Sequence, residues 1–411
     1  MTNPLTILAV FAHPDDEIGV GSTLAYYGQA GVRTVLICAT RGEVATIFCD
    51  GCATRENLAE VRTGELECAC AHLGIQELRW LDWPDGGTKD LPRAEAVGEI
   101  VRQIRAIRPD VILTHPEHGL YPHPDHLAIW EMVREAFSLA ADPDAYPDAG
   151  PAWAAARLFT RAISQSYFEA APGLKEFRVE LNGQLLPFCG TPDDEIDATM
   201  HVEAHVGRRM AAWACHRSQH NPKGFSATMP DGMRREMAAN EQFVLAAARV
   251  PLPDGVRDDL LAGLDPDRAV AGEPAAPAAW ADGLRAELSA HRSLVDVCQG
   301  YLGRNPEPNL AGLLRRLADG EQEIIYRLAR ALRLAGEPPG AVAADPELLR
   351  RAMRHESTPD RTRFLRTLTE QATARCQAQI KRAGESNQKV VWEELAGLVQ
   401  AQARAAAEFA G

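Results

Sequence analysis

No run of apolar residues in this 411-residue chain approaches the roughly 20 needed to cross a bilayer, so no membrane span is expected. Positive charge is scarce as well. Lys and Arg number 43 against 57 Asp and Glu, a formal net charge of −14, which argues against nucleic acid or an anionic membrane surface as the main partner. The opening residues lack the basic region and cleavage site of a signal peptide, and a cytoplasmic location is expected. Cysteine is present without forming an evident framework: nine residues, an odd number, scattered along the chain. That fits reduced, mostly buried thiols better than a set of disulfides. Internal repeats of roughly 20 to 50 residues are missing too.

The length exceeds the usual single-domain range, so two domains are expected. From residue 5 to about 135, short β-rich runs alternate with amphipathic stretches. The order is TILAVFA, a helix through Leu24 to Gln29, TVLICAT, a helix across Leu58 to Leu73, ELRWLDW, a helix from Ala94 to Ile107, DVILTH, and a helix from Leu127 to Phe137. Such alternation predicts an α/β fold with a doubly wound, mostly parallel, Rossmann-like sheet. Ligands bind such sheets at the carboxyl ends of the strands. Four polar loops therefore share one rim: HPDDE, TRGE (Thr40 to Glu43), WPDG (Trp83 to Gly86) and THPEHGLYPHPDH (Thr114 to His126). Further strands and a helix from Ala198 to Cys215 complete a domain over 1–250. A Pro-rich linker follows at 251–278, and an all-α helical bundle of unassigned role at 279–411, where stripes such as Leu310, Leu314 and Leu317 recur at helical spacing.

FAHPDDEIGVG (residues 11–21) crowds three acids into one turn after a buried strand. Like charges that close repel unless something positive sits among them. His13 and Asp16 are three apart in that turn and can point at one centre, while HPDH (residues 123–126) offers a third ligand from another loop. Three His and carboxylate ligands with an open position describe a catalytic zinc. A divalent cation also offsets the acids and leaves Asp15 ionised as a base, which points to metal-assisted hydrolysis.

AHPDDE after the first strand, TRGE after the second, RTGE at Arg62 to Glu65, the distant HPDH, and HRSQ at His216 to Gln219 together resemble the PIG-L, or LmbE-like, family of zinc-dependent N-acetylglucosamine deacetylases. The resemblance covers residues 4–222 and implies specific roles. His13, Asp16 and His126 would hold the zinc, and Asp15 would be the general base. His123 would stabilise the tetrahedral oxyanion, with Asp125 orienting it. Arg62 would lie near the sugar's polar groups, and His216 belongs to the motif that closes the site, so both are substrate-binding residues. One zinc per chain is implied, although two histidines and one carboxylate suit iron(II) equally. The implied substrate is a small N-acetylglucosaminyl compound, cleaved to acetate and a free amino sugar. Two further readings stay open: an amidase acting on a thiol–sugar conjugate, or a catalytically silent sugar- or metal-binding scaffold. In the latter the helical bundle does the work, as a homo-oligomerisation or protein-docking module.

Other features read as structure. Arg209 stands where the family usually carries a lysine. PDDE at Pro192 to Glu195 lacks a histidine and reads as an acidic cluster before the helix at Ala198. Cys49, Cys52, Cys68 and Cys70 approach a zinc-ribbon spacing, but Cys68 and Cys70 are two apart on a helix and face different directions. Cys49 and Cys52 alone are either a redox pair or two idle loop thiols. His201 with His205, and His216 with His220, read as solvated or substrate-proximal helix faces, and His118 as pocket lining. GVGST (Gly19 to Thr23) matches no phosphate loop. Glu287, His291 and Glu321 accompany apolar stripes of the bundle without the paired ExxH of a di-iron site.

Overall fold

The run TILAVF forms β1 (Thr6–Phe11), buried at every residue, because a central parallel strand is covered by helices on both faces. The computed structural model describes residues 4–170, 178–181, 184–222, 224, 227, 229–253, 255–265, 278–334, 342–383 and 387–410. Parallel to β1 lie β2 (Arg33–Thr40) and β4 (Val111–Thr114); β3 (Glu77–Trp83) and β5 (Arg157–Ala162) extend the sheet in parallel on either side. A separate hairpin pairs β6 (Arg178–Leu181) with β7 (Gln184–Pro187). Two antiparallel strands, β8 (Ala198–His201) and β9 (Asn240–Ala248), complete the sheet in the order β3-β2-β1-β4-β5-β9-β8. Strand order reverses between β1 and β4, so the crevice of a doubly wound sheet opens where HPDDE and HPDH emerge.

Helices α1 (Gly21–Gln29), α2 (Leu58–Leu73), α3 (Arg93–Ile107) and α4 (Pro124–Leu139) follow the first four strands; α5 (Gln165–Ala170), α6 (Val206–Cys215) and α7 (Asp231–Ala239) come later. One core joins Leu8, Val10, Val35 and Ile37 of the sheet to Val97 and Ile100 of α3 and Ile129 and Val133 of α4.

Several expectations need correction. The helix predicted over Ala198 to Cys215 exists only from Val206. Its first four residues are β8, whose alternating burial follows from pairing with β9, a strand the sequence did not reveal. His201 and His205 therefore share no helix face: His201 Nδ1 lies 2.7 Å from Asn240 Oδ1, and His205 Nε2 lies 2.9 Å from Gln29 Oε1. Nor do His216 and His220, since α6 stops at Cys215 and residues 217–219 form a 3-10 turn. Asp193–Glu195 is a 3-10 turn ahead of a strand, not of a helix, and Asp193 Oδ1 accepts the Ser166 N–H at 2.9 Å.

The described part of the expected linker is anchored. Arg157 donates to the carbonyls of Val250, Pro251, Leu260 and Ala262 at 2.6–2.8 Å, and Leu260 is fully buried. Residues 266–277, the remaining stretch, lie outside the described residues. Two compact units result, Met1–Glu273 and Pro274–Gly411.

The reduced-thiol expectation also fails at four positions: Cys49 pairs with Cys52, and Cys68 of α2 with Cys215 of α6. The second pair is separated by 147 residues, so only the packing of α6 on α2 brings it together. The buried Cys38, Cys70, Cys298 and Cys376 remain free.

The second unit contains α8 (Ala278–Leu302), α9 (Pro308–Leu334), α10 (Pro346–Ala352), α11 (Thr358–Ala383) and α12 (Asn387–Ala410). Leucine stripes on α8 and α9 pack into two apolar clusters. The polar trio is partly satisfied: His291 Nδ1 meets Glu321 Oε2 at 2.5 Å, and Arg375 Nε bonds both Glu287 oxygens at 2.8 and 3.0 Å, while His291 Nε2 lies 3.8 Å from Glu287 Oε2, beyond hydrogen-bond distance.

Candidate active site

After Phe11 the chain turns sharply, and the His13 N–H donates to Asp16 Oδ2 at 2.9 Å. Asp15 sits at φ 109°, ψ −16°, a region sparsely used by residues other than glycine and found at functional sites. Its N–H donates to Glu17 Oε2 at 2.9 Å, and the other Glu17 oxygen lies 2.7 Å from His216 Nε2. From β4, the second loop leads to α4, with His123 as N-cap and Asp125 and His126 in the first turn. Gly119 has φ +70°, and a Cβ there would lie 2.6 Å from the Tyr121 carbonyl. Its own carbonyl faces His126 Nδ1 at 2.9 Å.

His13, Asp16 and His126 converge. His13 Nδ1 lies 3.3 Å from His126 Nε2 and 3.5 Å from Asp16 Oδ2, and His126 Nε2 lies 3.4 Å from Asp16 Oδ1. A tetrahedral ion with bonds of about 2.0–2.1 Å would set neighbouring donors about 3.3–3.4 Å apart. The outer hydrogen bonds agree. His126 Nδ1 is committed to a carbonyl, and His13 Nε2 to Asp125 Oδ2 at 3.1 Å and Asp85 Oδ1 at 3.2 Å. In both rings the proton belongs on the outward nitrogen, so two lone pairs and a carboxylate face one point. That point demands positive charge. Burial disfavours the His13 cation, yet Asp125, Asp16 and Asp85 outweigh it and raise its pKa well above the ordinary value. The donor set therefore fits a divalent cation.

Asp125 does not orient His123 in the way expected. Its carboxylate accepts from His13 Nε2, from the Gly86 N–H at 2.7 Å, and from the Thr88 N–H and hydroxyl at 3.1 and 2.7 Å. The backbone N–H of Asp125 instead donates to His123 Nδ1 at 3.2 Å. Burial, with His13 and His126 nearby, pushes the His123 pKa down to about 3. His123 is thus a neutral ring with its proton on Nε2, a hydrogen-bond donor at the site. Burial pushes the Asp15 carboxyl up to about 6, Arg62 opposing and Asp16 reinforcing the shift.

Arg62 and His216 hold the site together from within. Arg62 is 2% exposed, donates to the carbonyls of Gly42 (3.1 Å) and Pro14, and lies 3.5 Å from Asp15 Oδ2. It joins TRGE to HPDDE. His216 is fully buried against Glu17. The two outlying motifs are linked by Glu65, whose oxygens accept the Ser218 N–H at 2.7 Å and hydroxyl at 2.6 Å. Arg62 and His216 are thus both buried against protein groups in this structure.

Other residues at the site were missed. His115, fully buried, stacks on His126 at 4.0 Å and accepts the Ala12 N–H at 3.0 Å; its place directly after a parallel strand was the available signal. Tyr121 packs edge-on against His126 at 5.1 Å. Asp85, in the WPDG turn, gave a loop but no role. His118 Nδ1 accepts the Leu120 N–H at 3.2 Å. Arg209 pairs with buried Glu241 at 3.1 Å, and Glu241 also accepts the first N–H groups of α1, from Ser22 and Thr23, at 3.0 and 2.7 Å.

A family model described as PIG-L, GlcNAc-PI de-N-acetylase, matches residues 8–137. A 1D-myo-inositol 2-acetamido-2-deoxy-α-D-glucopyranoside deacetylase of Frankia casuarinae is 35% identical over 291 residues, 63% of this chain and 94% of that protein. The deacetylase of the same description from Geodermatophilus obscurus is 32% identical over 293 residues, covering 64% and 99%. Among solved structures, a conserved protein of Thermus thermophilus aligns with 26% identity and a TM-score of 0.46, over 61% of this chain and 99% of that one.

Proposed function

Because the chain belongs to the PIG-L family of de-N-acetylases, we propose that this site hydrolyses the acetamide of an N-acetylglucosaminyl compound, with His13, Asp16 and His126 holding one zinc or iron(II) ion. Bound there, the ion supplies Lewis acidity toward the amide carbonyl and makes a water more acidic. Asp15 takes the proton of the attacking water; its carboxylate lies beside the ligand Asp16 and is held by Arg62. His123, neutral and protonated on Nε2, donates a hydrogen bond to the developing oxyanion of the substrate. The proton gathered by Asp15 can then pass to the departing amine, giving acetate and the free amino sugar. Glu17, His216 and Arg62 act one step back, by fixing the backbone and charge of Asp15.

The observation that carries this reading is the pair of inward lone pairs on His13 and His126, 3.3 Å apart beside the Asp16 carboxylate. 1D-myo-inositol 2-acetamido-2-deoxy-α-D-glucopyranoside, named for the relatives, heads the substrates to test. The test incubates metal-reconstituted protein with N-acetylglucosaminyl compounds and measures acetate and primary amine together. Equal release of both, abolished by a chelator and restored by the metal, is expected. Activity that survives complete metal removal, or amine release without acetate, overturns the assignment.

A further inference from the structure

Of the nine cysteines, the four that are paired surround one short turn, 216–219. Cys215 immediately precedes His216. Its partner Cys68 lies one turn of α2 beyond Glu65, which holds the Ser218 N–H and hydroxyl. On the other side, Phe48, adjacent to Cys49, donates its N–H to the Ser218 carbonyl at 2.8 Å. Of the five unpaired cysteines, Cys38, Cys70, Cys298 and Cys376 are buried and Cys189 is half-buried, whereas in the Cys68–Cys215 pair Cys68 is exposed and Cys215 half-buried. Exchange with a dissolved thiol requires such access.

The Cys68 and Cys215 Cα atoms lie 5.9 Å apart, within the range a disulfide accepts without backbone movement. The His72 ring, one turn along α2 from Cys68, has a nitrogen within 4.8 Å of both sulfurs. It is placed to accept the proton as a thiol becomes a thiolate, the form that attacks and leaves in exchange.

We propose that Cys68 and Cys215 form a reversible thiol–disulfide site whose oxidation state governs how firmly the turn carrying His216 and Ser218 is held against Glu17 and α2. In reduction, a thiolate of a small thiol attacks one sulfur. The S–S bond breaks, a mixed disulfide forms, and the other cysteine departs as a thiolate that takes up a proton. A second thiol displaces the protein sulfur, so that one protein disulfide and two thiols become two protein thiols and one small-molecule disulfide. Oxidised, the link ties α2, with Arg62 and Glu65, to the turn whose His216 supports Glu17 and so Asp15. Reduced, the turn keeps its hydrogen bonds and the packing of α6 on α2 without the covalent tie.

The effect on turnover rests on the deacetylase reading, but the structural readouts do not. The full-length, metal-loaded chain is equilibrated in glutathione buffers from fully oxidised to fully reduced. Thiols are trapped by alkylation and counted by mass, and amide hydrogen exchange is followed at residues 216–219. Reduction of the Cys68–Cys215 pair should speed exchange in that turn roughly tenfold. It should lower the unfolding midpoint by roughly 5–10 °C, and lower kcat several-fold with metal content unchanged. The Cys68→Ser/Cys215→Ser variant should behave as reduced protein in every buffer, while Cys49→Ser/Cys52→Ser keeps the response. His72→Gln should slow exchange without moving its end points. A pair that stays oxidised or stays reduced in all buffers overturns the proposal. So does unchanged protection of 216–219 between the two states, or a response that vanishes only with Cys49 and Cys52. If no substrate is ever cleaved, the exchange and thiol counts still decide the matter.

Discussion

Asp15 and Asp16 are neighbours in sequence to which the proposed reaction gives different tasks, and their surroundings separate them. Asp16 is ringed by His13, His115 and His126, whereas Asp15 keeps an exposed edge and has the Arg62 guanidinium beside it, with His216 as a further favourable charge. We predict that Asp15→Asn retains the metal and loses roughly 10²- to 10⁴-fold in kcat. Metal analysis beside steady-state kinetics checks it, and loss of the ion would reassign Asp15 as a ligand. Glu17 offers a second test. His216→Ala leaves a buried Glu17 oxygen without its partner, so kcat should fall about tenfold or more while KM and metal content hold; a change confined to KM would make His216 a substrate contact after all. The acids of HPDDE and the histidines of HPDH were legible in sequence because their types are those of a hydrolytic metal site. The turning of Asp125 toward His13, and the use of Glu17 as a brace, were not legible, since a carboxylate's partner is set by which loop lies opposite.

At the scale of elements, a 3-10 turn over Asp16–Val20 leads from HPDDE into α1, whose Ser22 and Thr23 N–H groups end on Glu241 of β9. Unsatisfied donors at a helix start need such a partner. Removing it by Glu241→Ala also strands buried Arg209, and a loss of about 3–5 kcal/mol in unfolding free energy is expected, measurable by urea titration. A change within about 0.5 kcal/mol, the range of an ordinary surface substitution, would contradict that account. The parallel strands and their helices were readable from period and length, because each buries its own apolar set. Strands β8 and β9 were not. ATMH and NEQFVLAAA carry little pattern of their own, and their state comes from pairing on the β5 edge.

For the whole molecule, the His and Asp side chains that form the site among the described residues belong to the first compact unit, Met1–Glu273. A fragment ending at Glu273 is therefore expected to fold and bind one divalent ion with the affinity of the full chain, as titration calorimetry would report. Failure to bind would place the second unit in the site's support. The anchoring of residues 251–265 by Arg157 explains why a cut at 250, the boundary suggested by composition, should instead remove buried Leu260, take the Pro251, Leu260 and Ala262 carbonyls from Arg157, and destabilise the fragment.

The amino-acid sequence alone determined the α/β class, the rim on which the loops meet, and the side-chain types of His13, Asp15, Asp16, His123 and His126 on which the proposed chemistry rests. Those follow from local periodicity and from side-chain type, which a linear chain carries in full. Only the tertiary structure decided that Asp125 serves His13, that Arg62 and His216 brace Asp15, that β8 and β9 are strands, and that Cys68 meets Cys215. Each of these depends on residues distant in sequence arriving within a few ångströms, which packing of the sheet, α2 and α6 alone settles.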